Sequence, residues 1–150
     1  MVIVSSCLLG NNCKYNGGNN LSEEIKKFAT ENNALPVCPE SAGGLPCPRP
    51  PAEIIGDRVM NREGLDVTEE FLRGSELCLE SVLAEARARC EDIEFAILKA
   101  RSPSCGSERI YDGTFSGTTV PGDGTFARLL KERNIRVYDE DTFLREHKQL

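Results

Sequence analysis

Cysteine is the residue type in this sequence with the most capacity for chemistry, because the 150 residues include seven cysteines and only one histidine. An odd number of cysteines cannot pair completely in intramolecular disulfides. In a reducing compartment, so many cysteines indicate metal binding or redox chemistry more often than disulfides. His147 is the single histidine, and we expect it to be a solvated residue near the C-terminus. We therefore expect no histidine-dependent catalytic triad, no Cys–His nucleophile and no mixed Cys/His zinc site.

Three cysteines come after short apolar runs and lie in segments rich in glycine or proline. The runs span residues 2–4, 35–37 and 95–99. Cys7, Cys38 and Cys105 follow them, one after each run. Such runs are typical of buried parallel strands, and ligands of open parallel sheets bind outside the carboxyl ends of the strands. We therefore expect the three thiols to converge at one edge of a sheet.

Three converging thiolates are compatible with more than one metal centre. Zinc needs a fourth ligand, which Cys13 or Cys47 could supply. A 4Fe-4S cluster usually has four thiolate ligands, and with three it keeps one iron open to a substrate atom. No CxxC pair is present in the sequence, which argues against a zinc ribbon and against a thioredoxin-like redox pair. Zinc and iron–sulfur both stay open on this reasoning.

Polar residues that could take part in catalysis flank the same cysteines. Glu40 follows Cys38 by two residues, and a carboxylate near a metal centre can act as a general acid or base, or only cap a helix. Ser102 and Ser104 precede Cys105 and could bind an anion or cluster sulfur, or only stabilise a turn. Glu40, Ser102 and Ser104 are therefore the candidate catalytic residues.

Basic residues and glycines near these loops offer a further possibility. Glycines between residues 113 and 124 could form a mobile substrate loop, an anion-binding nest or a plain surface loop. A local basic patch could bind a small anion. Its candidate members are Lys14, Arg49, Lys99, Arg101 and Arg109. There is no P-loop and no GxGxxG after a strand, so we expect no nucleotide cofactor.

Helical patterns must position these loops. Ser22 and Thr68 are each followed by two glutamates, and both are predicted N-caps. The first of these helices is predicted to bury Ile25, Phe28 and Ala29. The second has a face that we expect to be buried, with residues at spacings of three or four. Its members are Phe71, Ser75, Cys78, Val82, Ala86 and Cys90.

The remaining elements complete the predicted fold. Further helices are expected over residues 125–133 and from residue 141, a fourth strand over 135–138, and a hairpin turning at Gly56-Asp57. Strands that alternate with helices favour right-handed βαβ units. We predict an α/β protein with one domain over residues 1–150, built as a mostly parallel sheet flanked by helices in a Rossmann-like three-layer arrangement, with a small hairpin insertion.

Composition restricts the partners. Hydrophobic residues make up 39% and charged residues 28%, as in ordinary soluble globular proteins. No apolar run is long enough to span a membrane, and the N-terminal residues lack the positive segment of a signal peptide. We therefore expect a cytoplasmic protein. The net charge of −6 repels a phosphate backbone, so we do not expect a nucleic-acid polymer as a partner.

Ordered motifs along nearly the whole chain resemble those of the thiouracil desulfidase family. The most distinctive are SxCLLGxxC at residues 5–13, PVCPE at 36–40 and SPSCG at 102–106. Further matching segments lie at residues 43–45, 48–49, 64–68, 98–99 and 110–113.

The resemblance implies a 4Fe-4S cluster held by three cysteines, which correspond to Cys7, Cys38 and Cys105. It implies that the fourth iron binds the sulfur of the substrate and that the carbon–sulfur bond is hydrolysed without net redox change, with sulfide left on the cluster before release. A glutamate and a serine assist in that family. They correspond to Glu40 and to either Ser102 or Ser104.

The leading hypothesis is therefore an iron–sulfur-dependent desulfidase of thiolated nucleobases such as thiouracil, or of similar small molecules, acting as a monomer or weak homodimer. The alternatives are a cluster- or zinc-binding module that handles sulfur or senses redox state without hydrolysis, and a plain α/β protein with reduced cysteines. Cys13 also matches a motif position, whereas Cys47 stands where another residue type is expected. A fourth thiolate from either would close the site.

Overall fold

The computed structural model describes residues 1–147, which form eight strands, five α-helices and one short 3-10 helix. The strands are β1 (Val2–Ser5), β2 (Leu35–Val37), β3 (Ala52–Ile55), β4 (Arg58–Asn61), β5 (Phe95–Leu98), β6 (Arg109–Tyr111), β7 (Thr119–Pro121) and β8 (Arg136–Asp139). The helices are α1 (Glu23–Glu31), α2 (Pro39–Ala42), α3 (Thr68–Arg89), α4 (Thr125–Glu132) and α5 (Glu140–Glu146). The 3-10 helix spans Ser6–Leu9.

Four of the strands form one parallel sheet with the order β2-β1-β5-β8. Ile3 of the central strand β1 pairs with Leu35 on one side and with Ala96 on the other. Every neighbouring pair is parallel, so the carboxyl ends of all four strands lie at one edge. The predicted parallel sheet is confirmed, with β5 ending at Leu98 rather than at residue 99.

Helices cover both faces of this sheet because its strands carry apolar residues on both faces. Helices α3 and α4 pack on one face, where Ile3, Leu98 and Phe126 are fully buried. Helices α1 and α5 pack on the other, over Val4 and Ile97. Since a residue and its neighbour in a strand point to opposite faces, the run at the start of the chain supplies both cores. The predicted three-layer α/β arrangement is thereby confirmed.

The predicted helix starts have different outcomes. Ser22 is the N-cap of α1 and accepts a hydrogen bond from the backbone of Ile25, as predicted. Thr68, predicted as an N-cap, is instead the first helical residue of α3, and Val67 is the N-cap. The Thr68 hydroxyl bonds Asp66 and the backbone of Val59, so it ties the helix to β4.

Two further sequence expectations were wrong at the ends of helices. Cys90 is exposed rather than buried, because it is the left-handed C-cap of α3 with a φ of 55°. His147 is half-buried rather than a solvated tail residue, because its ring stacks on Phe143 at a centroid distance of 4.3 Å.

Two antiparallel hairpins lie outside the main sheet, where only one was predicted. Strands β3 and β4 form the hairpin expected around Gly56-Asp57. Strands β6 and β7 form the second, and it contains much of the glycine-rich stretch that was predicted as a loop. In the described part of the chain, no helix is long and apolar enough to cross a lipid bilayer.

Candidate active site

A cavity of about 430 Å³ opens at the carboxyl edge of the parallel sheet, and the strand-end loops and both hairpins surround it. The predicted site residues that line it are Cys7, Cys38, Cys105, Glu40, Ser102 and Ser104. The structure thus brings together at one place residues that are up to 98 positions apart in sequence, as the distance from Cys7 to Cys105 shows.

Each of the three cysteines is positioned by the end of a parallel strand. Cys7 lies in the 3-10 helix that directly follows β1, and Cys38 is the N-cap residue of α2, directly after β2. Cys105 lies in the longer loop after β5 and is only 5% exposed. Adjacent parallel strands end at the same edge, so the sheet itself places the three thiols around one space.

The two other candidate ligands differ from each other. Cys13 lines the cavity and its thiol is hydrogen-bonded to Cys38. Cys47 is exposed and does not line the cavity. Its thiol donates instead to the carbonyl oxygens of Asn12 and Lys14, at 3.2 and 3.3 Å. Cys47 therefore stabilises a surface loop through these hydrogen bonds. Of the two cysteines, only Cys13 is placed to contact a ligand in the cavity.

Burial and hydrogen bonding act in opposite directions on these thiols. Burial raises the pKa of Cys7 and of Cys105. The hydrogen bond with Cys13 lowers the pKa of Cys38 to about 6, with help from Ser41, whose Oγ lies 3.2 Å from the sulfur. The same contact raises the pKa of Cys13. Because the thiolate is the form that binds metals, Cys38 is the thiol most ready to do so.

Glu40 is held between two side chains at the cavity wall. One carboxylate oxygen accepts a hydrogen bond from the Arg49 Nε at 3.1 Å, and the other accepts from the Ser104 Oγ at 2.9 Å. The Arg49 side chain is only 4% exposed, and it also donates to the carbonyl oxygen of Cys13 at 2.8 Å. This buried arginine therefore fixes the orientation of the carboxylate and joins it to the loop that carries Cys13.

The short helix α2 carries Glu40, and α3 determines where α2 lies. A Cβ atom at Gly74 in α3 would overlap the carbonyl oxygen of Pro39, the first residue of α2. The two helices therefore approach backbone to backbone at this point, and only glycine permits it. Cys38 and Glu40 owe their position to a residue of α3 that does not line the cavity.

The loop of Ser102 to Gly106 is held by the start of α4. The carbonyl oxygen of Ser104 accepts hydrogen bonds from the backbone of Phe126 and Ala127, and that of Pro103 accepts from Thr125. These donors are backbone N–H groups in the first turn of α4, and such groups have no acceptor within their own helix. The loop that carries Cys105 is therefore held by the free backbone N–H groups at the N-terminus of α4.

The two serines have different contacts. Ser104 is 2% exposed, and its hydroxyl donates to Glu40. The Ser102 hydroxyl instead accepts from the backbone of Ser104 and Cys105 at 3.2 and 3.0 Å. Ser102 therefore stabilises the turn, and Ser104 reaches the candidate acid–base group. The two hydroxyls lie 3.1 Å apart.

The predicted basic patch is only partly present at the cavity. Lys14, Arg49 and Lys99 line it, whereas Arg101 and Arg109 do not. Lys99 forms an ion pair with Glu140 at 2.8 Å. Arg109 donates to Thr119 across the second hairpin and has a structural role there.

Several residues of the cavity wall were missed by sequence reasoning. They are Tyr15, Asn20, Glu53, Arg62, Tyr111 and Phe115. Glu53 lies on β3, Arg62 directly follows β4, and Phe115 lies in the turn between β6 and β7, all outside the parallel sheet. The strand-end rule could not find them, because the hairpins fold over the edge of the sheet through contacts that are distant in sequence.

The donor set fits a cluster better than a single ion. Within residues 1–147, no three His, Cys, Asp or Glu side chains lie close enough together to hold one metal ion. Tetrahedral zinc, with Zn–S bonds of about 2.3 Å, requires sulfurs about 3.8 Å apart. Cys7, Cys38 and Cys105 instead line one cavity, and cysteine thiolates are the usual ligands of iron–sulfur clusters.

The fold and the site define an α/β protein that gathers thiols, a carboxylate and a buried serine at the carboxyl edge of a parallel sheet. The chain belongs to the 2-thiouracil desulfurase family, which matches residues 2–142.

Two relatives agree with this assignment. The chain is 48% identical to a solved structure of a 4Fe-4S-dependent thiouracil desulfidase, TudS, with a TM-score of 0.83, and the match covers 93% of this chain and 90% of that chain. It is 42% identical over 151 residues to the uncharacterized protein YbbK of Bacillus subtilis (strain 168), over 94% of this chain and 96% of YbbK.

Proposed function

We propose that this protein is a 4Fe-4S-dependent desulfidase of thiolated nucleobases such as thiouracil, and that residues 1–150 form a single domain with this activity. One observation carries the proposal. Cys7, Cys38 and Cys105 line one cavity with the Glu40–Ser104 pair, in a chain of the 2-thiouracil desulfurase family. The reaction is a hydrolysis in which water replaces sulfur at the ring carbon and hydrogen sulfide leaves, without net oxidation or reduction.

The three strand-end cysteines are the proposed cluster ligands. A bound cluster with three protein ligands supplies an iron with an open coordination position, a Lewis acid with affinity for soft thione sulfur. Cys13 lies next to Cys38 and is assigned a hydrogen bond to that ligand rather than a place among the ligands.

Glu40 is the proposed general acid–base group. Its two oxygens are oriented by Arg49 and Ser104, and each oxygen keeps a lone pair free for a further hydrogen bond. In this position the carboxylate can take a proton from an attacking water or return it to a ring nitrogen. Ser104 holds Glu40 in place, and Ser102 supports Ser104 through the 3.1 Å contact between their hydroxyls.

The substrate class follows from the size of the cavity and from the net charge of the whole chain. A cavity of about 430 Å³ accommodates a small heteroaromatic molecule, and the net charge of −6 disfavours a nucleic-acid polymer. We place the activity in the cytoplasm. We assign it to a monomer or weak homodimer.

Anaerobic reconstitution tests this function. The loaded protein is expected to be brown, to contain about four irons per chain and to release sulfide from 2-thiouracil or 4-thiouracil with an equal amount of uracil formed. A colourless protein with one zinc would contradict the proposal. A brown protein that releases no sulfide from any thiolated nucleobase would instead support the module without hydrolytic activity.

A further inference from the structure

We propose that Phe115 is a specificity-determining residue that stacks on the heteroaromatic ring of the substrate, and that Glu53 and Arg62 hold it in that position. This inference rests on the proposed function and deepens it, since it names the part of the cavity that selects a flat ring.

Phe115 lies in a turn and forms part of the cavity wall. It lies between β6 and β7, is half-buried and lines the same cavity as the strand-end cysteines. The same cavity is lined by Cys7, Cys38 and Cys105, and the phenyl ring adds a flat apolar surface to it. Every nucleobase has a π-face, and stacking on an aromatic side chain is a common way to bind one.

The backbone at Phe115 is costly for this residue type. Its φ is 56°, in the left-handed region that glycine adopts without strain and other residues adopt only at a cost in free energy. Glycines stand nearby in the same turn, at Gly113 and Gly117. A phenylalanine kept in a conformation that suits glycine is typical of a side chain that is needed at that place.

Glu53 holds the turn from the other hairpin. One of its carboxylate oxygens accepts hydrogen bonds from the backbone of Gly113 at 3.0 Å and of Phe115 at 3.1 Å. Glu53 lies on β3 and is only 8% exposed. The two residues that donate to this buried carboxylate are 60 and 62 positions away in sequence. The carboxylate therefore fixes the turn relative to the cavity.

Arg62 holds the ring itself. Its guanidinium carbon lies 5.5 Å from the centroid of the Phe115 ring, within the range of a cation–π contact. Arg62 follows β4, and its backbone donates to Pro51 at 2.9 Å, so it is anchored to the same hairpin as Glu53. The hairpin β3–β4 therefore fixes both the backbone and the ring of Phe115.

The experiment uses the cluster-loaded protein and measures uracil binding by calorimetry together with KM and kcat for 4-thiouracil. Phe115→Leu keeps the apolar volume but loses the flat ring. It is expected to weaken uracil binding and raise KM about tenfold, because the stacking contact with the base is lost, with kcat and iron content unchanged. Phe115→Tyr keeps the ring and is expected to bind uracil like the wild type. Val120→Ala, on β7 of the same hairpin and outside the cavity wall, is the matched control.

The role of Glu53 is tested through its coupling to Phe115. Glu53→Ala frees the turn and is expected to weaken uracil binding several-fold in the wild-type background, but to add nothing in Phe115→Leu. Additive effects would show that Glu53 does not act through Phe115 and would overturn that part of the proposal. Wild-type uracil affinity in Phe115→Leu, or a loss of kcat with unchanged KM, would overturn the stacking role. Failure of the wild type to release sulfide from any thiopyrimidine would contradict the proposed function instead.

Discussion

The carboxyl edge of the sheet and the buried face of α3 both carry cysteines, and burial does not distinguish the two regions. Cys105 is 5% exposed and Cys78 is 6% exposed, yet only Cys105 lines the cavity. Cys78 lies in the apolar cluster between the sheet and helices α3 and α4. The backbone around a cysteine, a loop after a strand or a regular helix, therefore indicates its role better than its burial does.

The two regions also differ in what surrounds the sulfur. Burial raises the pKa of Cys78 to about 11, which keeps it a neutral thiol that packs as a small apolar side chain. At the sheet edge, burial also raises the pKa of Cys7 and of Cys105, whereas the hydrogen bonds that Cys38 forms with Cys13 and Ser41 lower the pKa of Cys38 and favour its thiolate. The comparison predicts that cysteines of the edge determine cluster loading and activity, whereas cysteines of α3 affect only the stability of the fold.

The largest effect is expected from the edge cysteines. Changing Cys7, Cys38 or Cys105 to Ala, one at a time, should abolish iron binding and reduce sulfide release to background, because each removes one of three proposed ligands. Iron content per chain after anaerobic reconstitution measures this. Cys47→Ala, which changes a cysteine outside the cavity wall, is the control and should load normally. Normal iron content in any of the three variants would remove that residue from the ligand set.

The second largest effect is expected at Glu40. Glu40→Gln retains the shape of the side chain and should keep the cluster, but should lower kcat by about 10²–10⁴-fold, as general acid–base catalysis contributes this much. Ser104→Ala should lower kcat less, and Ser102→Ala least, because only Ser104 touches the carboxylate. Equal losses in the two serine variants would mean that contact with Glu40 is not what distinguishes them.

Gly74 links the two regions, and its substitution tests whether α3 positions the edge. Helix propensity favours alanine over glycine by about 1 kcal/mol. Gly74→Ala should nevertheless destabilise the fold by about 2 kcal/mol and reduce iron loading, because the new Cβ overlaps Pro39 at the start of α2. Urea unfolding measures the free energy. Ser81→Ala, on the exposed side of α3, is the control and should change little. A stabilised Gly74→Ala variant would contradict the close approach of the two helices.

A smaller effect is expected at Cys78, the buried thiol of α3. Cys78→Ala should lower the free energy of unfolding by about 1 kcal/mol through the small cavity it leaves, with iron content and kcat unchanged. Urea unfolding and iron analysis on the same preparation check both parts. Loss of iron in this variant would break the distinction between the two groups of cysteines.

The smallest effect is expected at Cys90, which is exposed and has a positive φ at the C-cap of α3. Cys90→Gly should stabilise the protein by about 0.5 kcal/mol, because glycine adopts the left-handed conformation without strain. Cys90→Ala keeps the strain and serves as the comparison. If the two variants have the same free energy of unfolding, the backbone conformation at this cap is not the controlling factor.

Much of the fold could be predicted because it depends on local patterns. The apolar runs predicted all four strands of the sheet, and Ser22 with its two following glutamates predicted the start of α1. Predictions from local pattern failed where a residue distant in sequence forms the hydrogen bond that the pattern assigns to a cap. Thr68 looks like a cap in sequence, but its hydroxyl is used by Asp66 and by β4. Strands β6 and β7 are three residues each, too short for their alternation to stand out among glycines.

The candidate site was predictable only in part for a related reason. The strand-end rule places Cys7, Cys38 and Cys105 at one edge without knowledge of any contact. No such rule indicates that Arg49 orients Glu40, since the pairing depends on how the loop before β3 folds back. No local rule distinguishes Ser104 from Ser102 either, because both flank the same proline. They differ in that only the Ser104 hydroxyl reaches Glu40 of α2.

The sequence by itself determined the alternation of strands and helices, the edge at which the thiols meet and the family to which the motifs correspond. These follow from the period of apolar residues and from the residue types in the strand-end loops, which are properties of short segments. Only the tertiary structure decided which serine reaches Glu40, which extra cysteine lines the cavity and that Phe115 forms part of its wall. Those features depend on hydrogen bonds and packing between segments far apart in the chain, and such contacts exist only once the sheet, α3 and both hairpins have assembled.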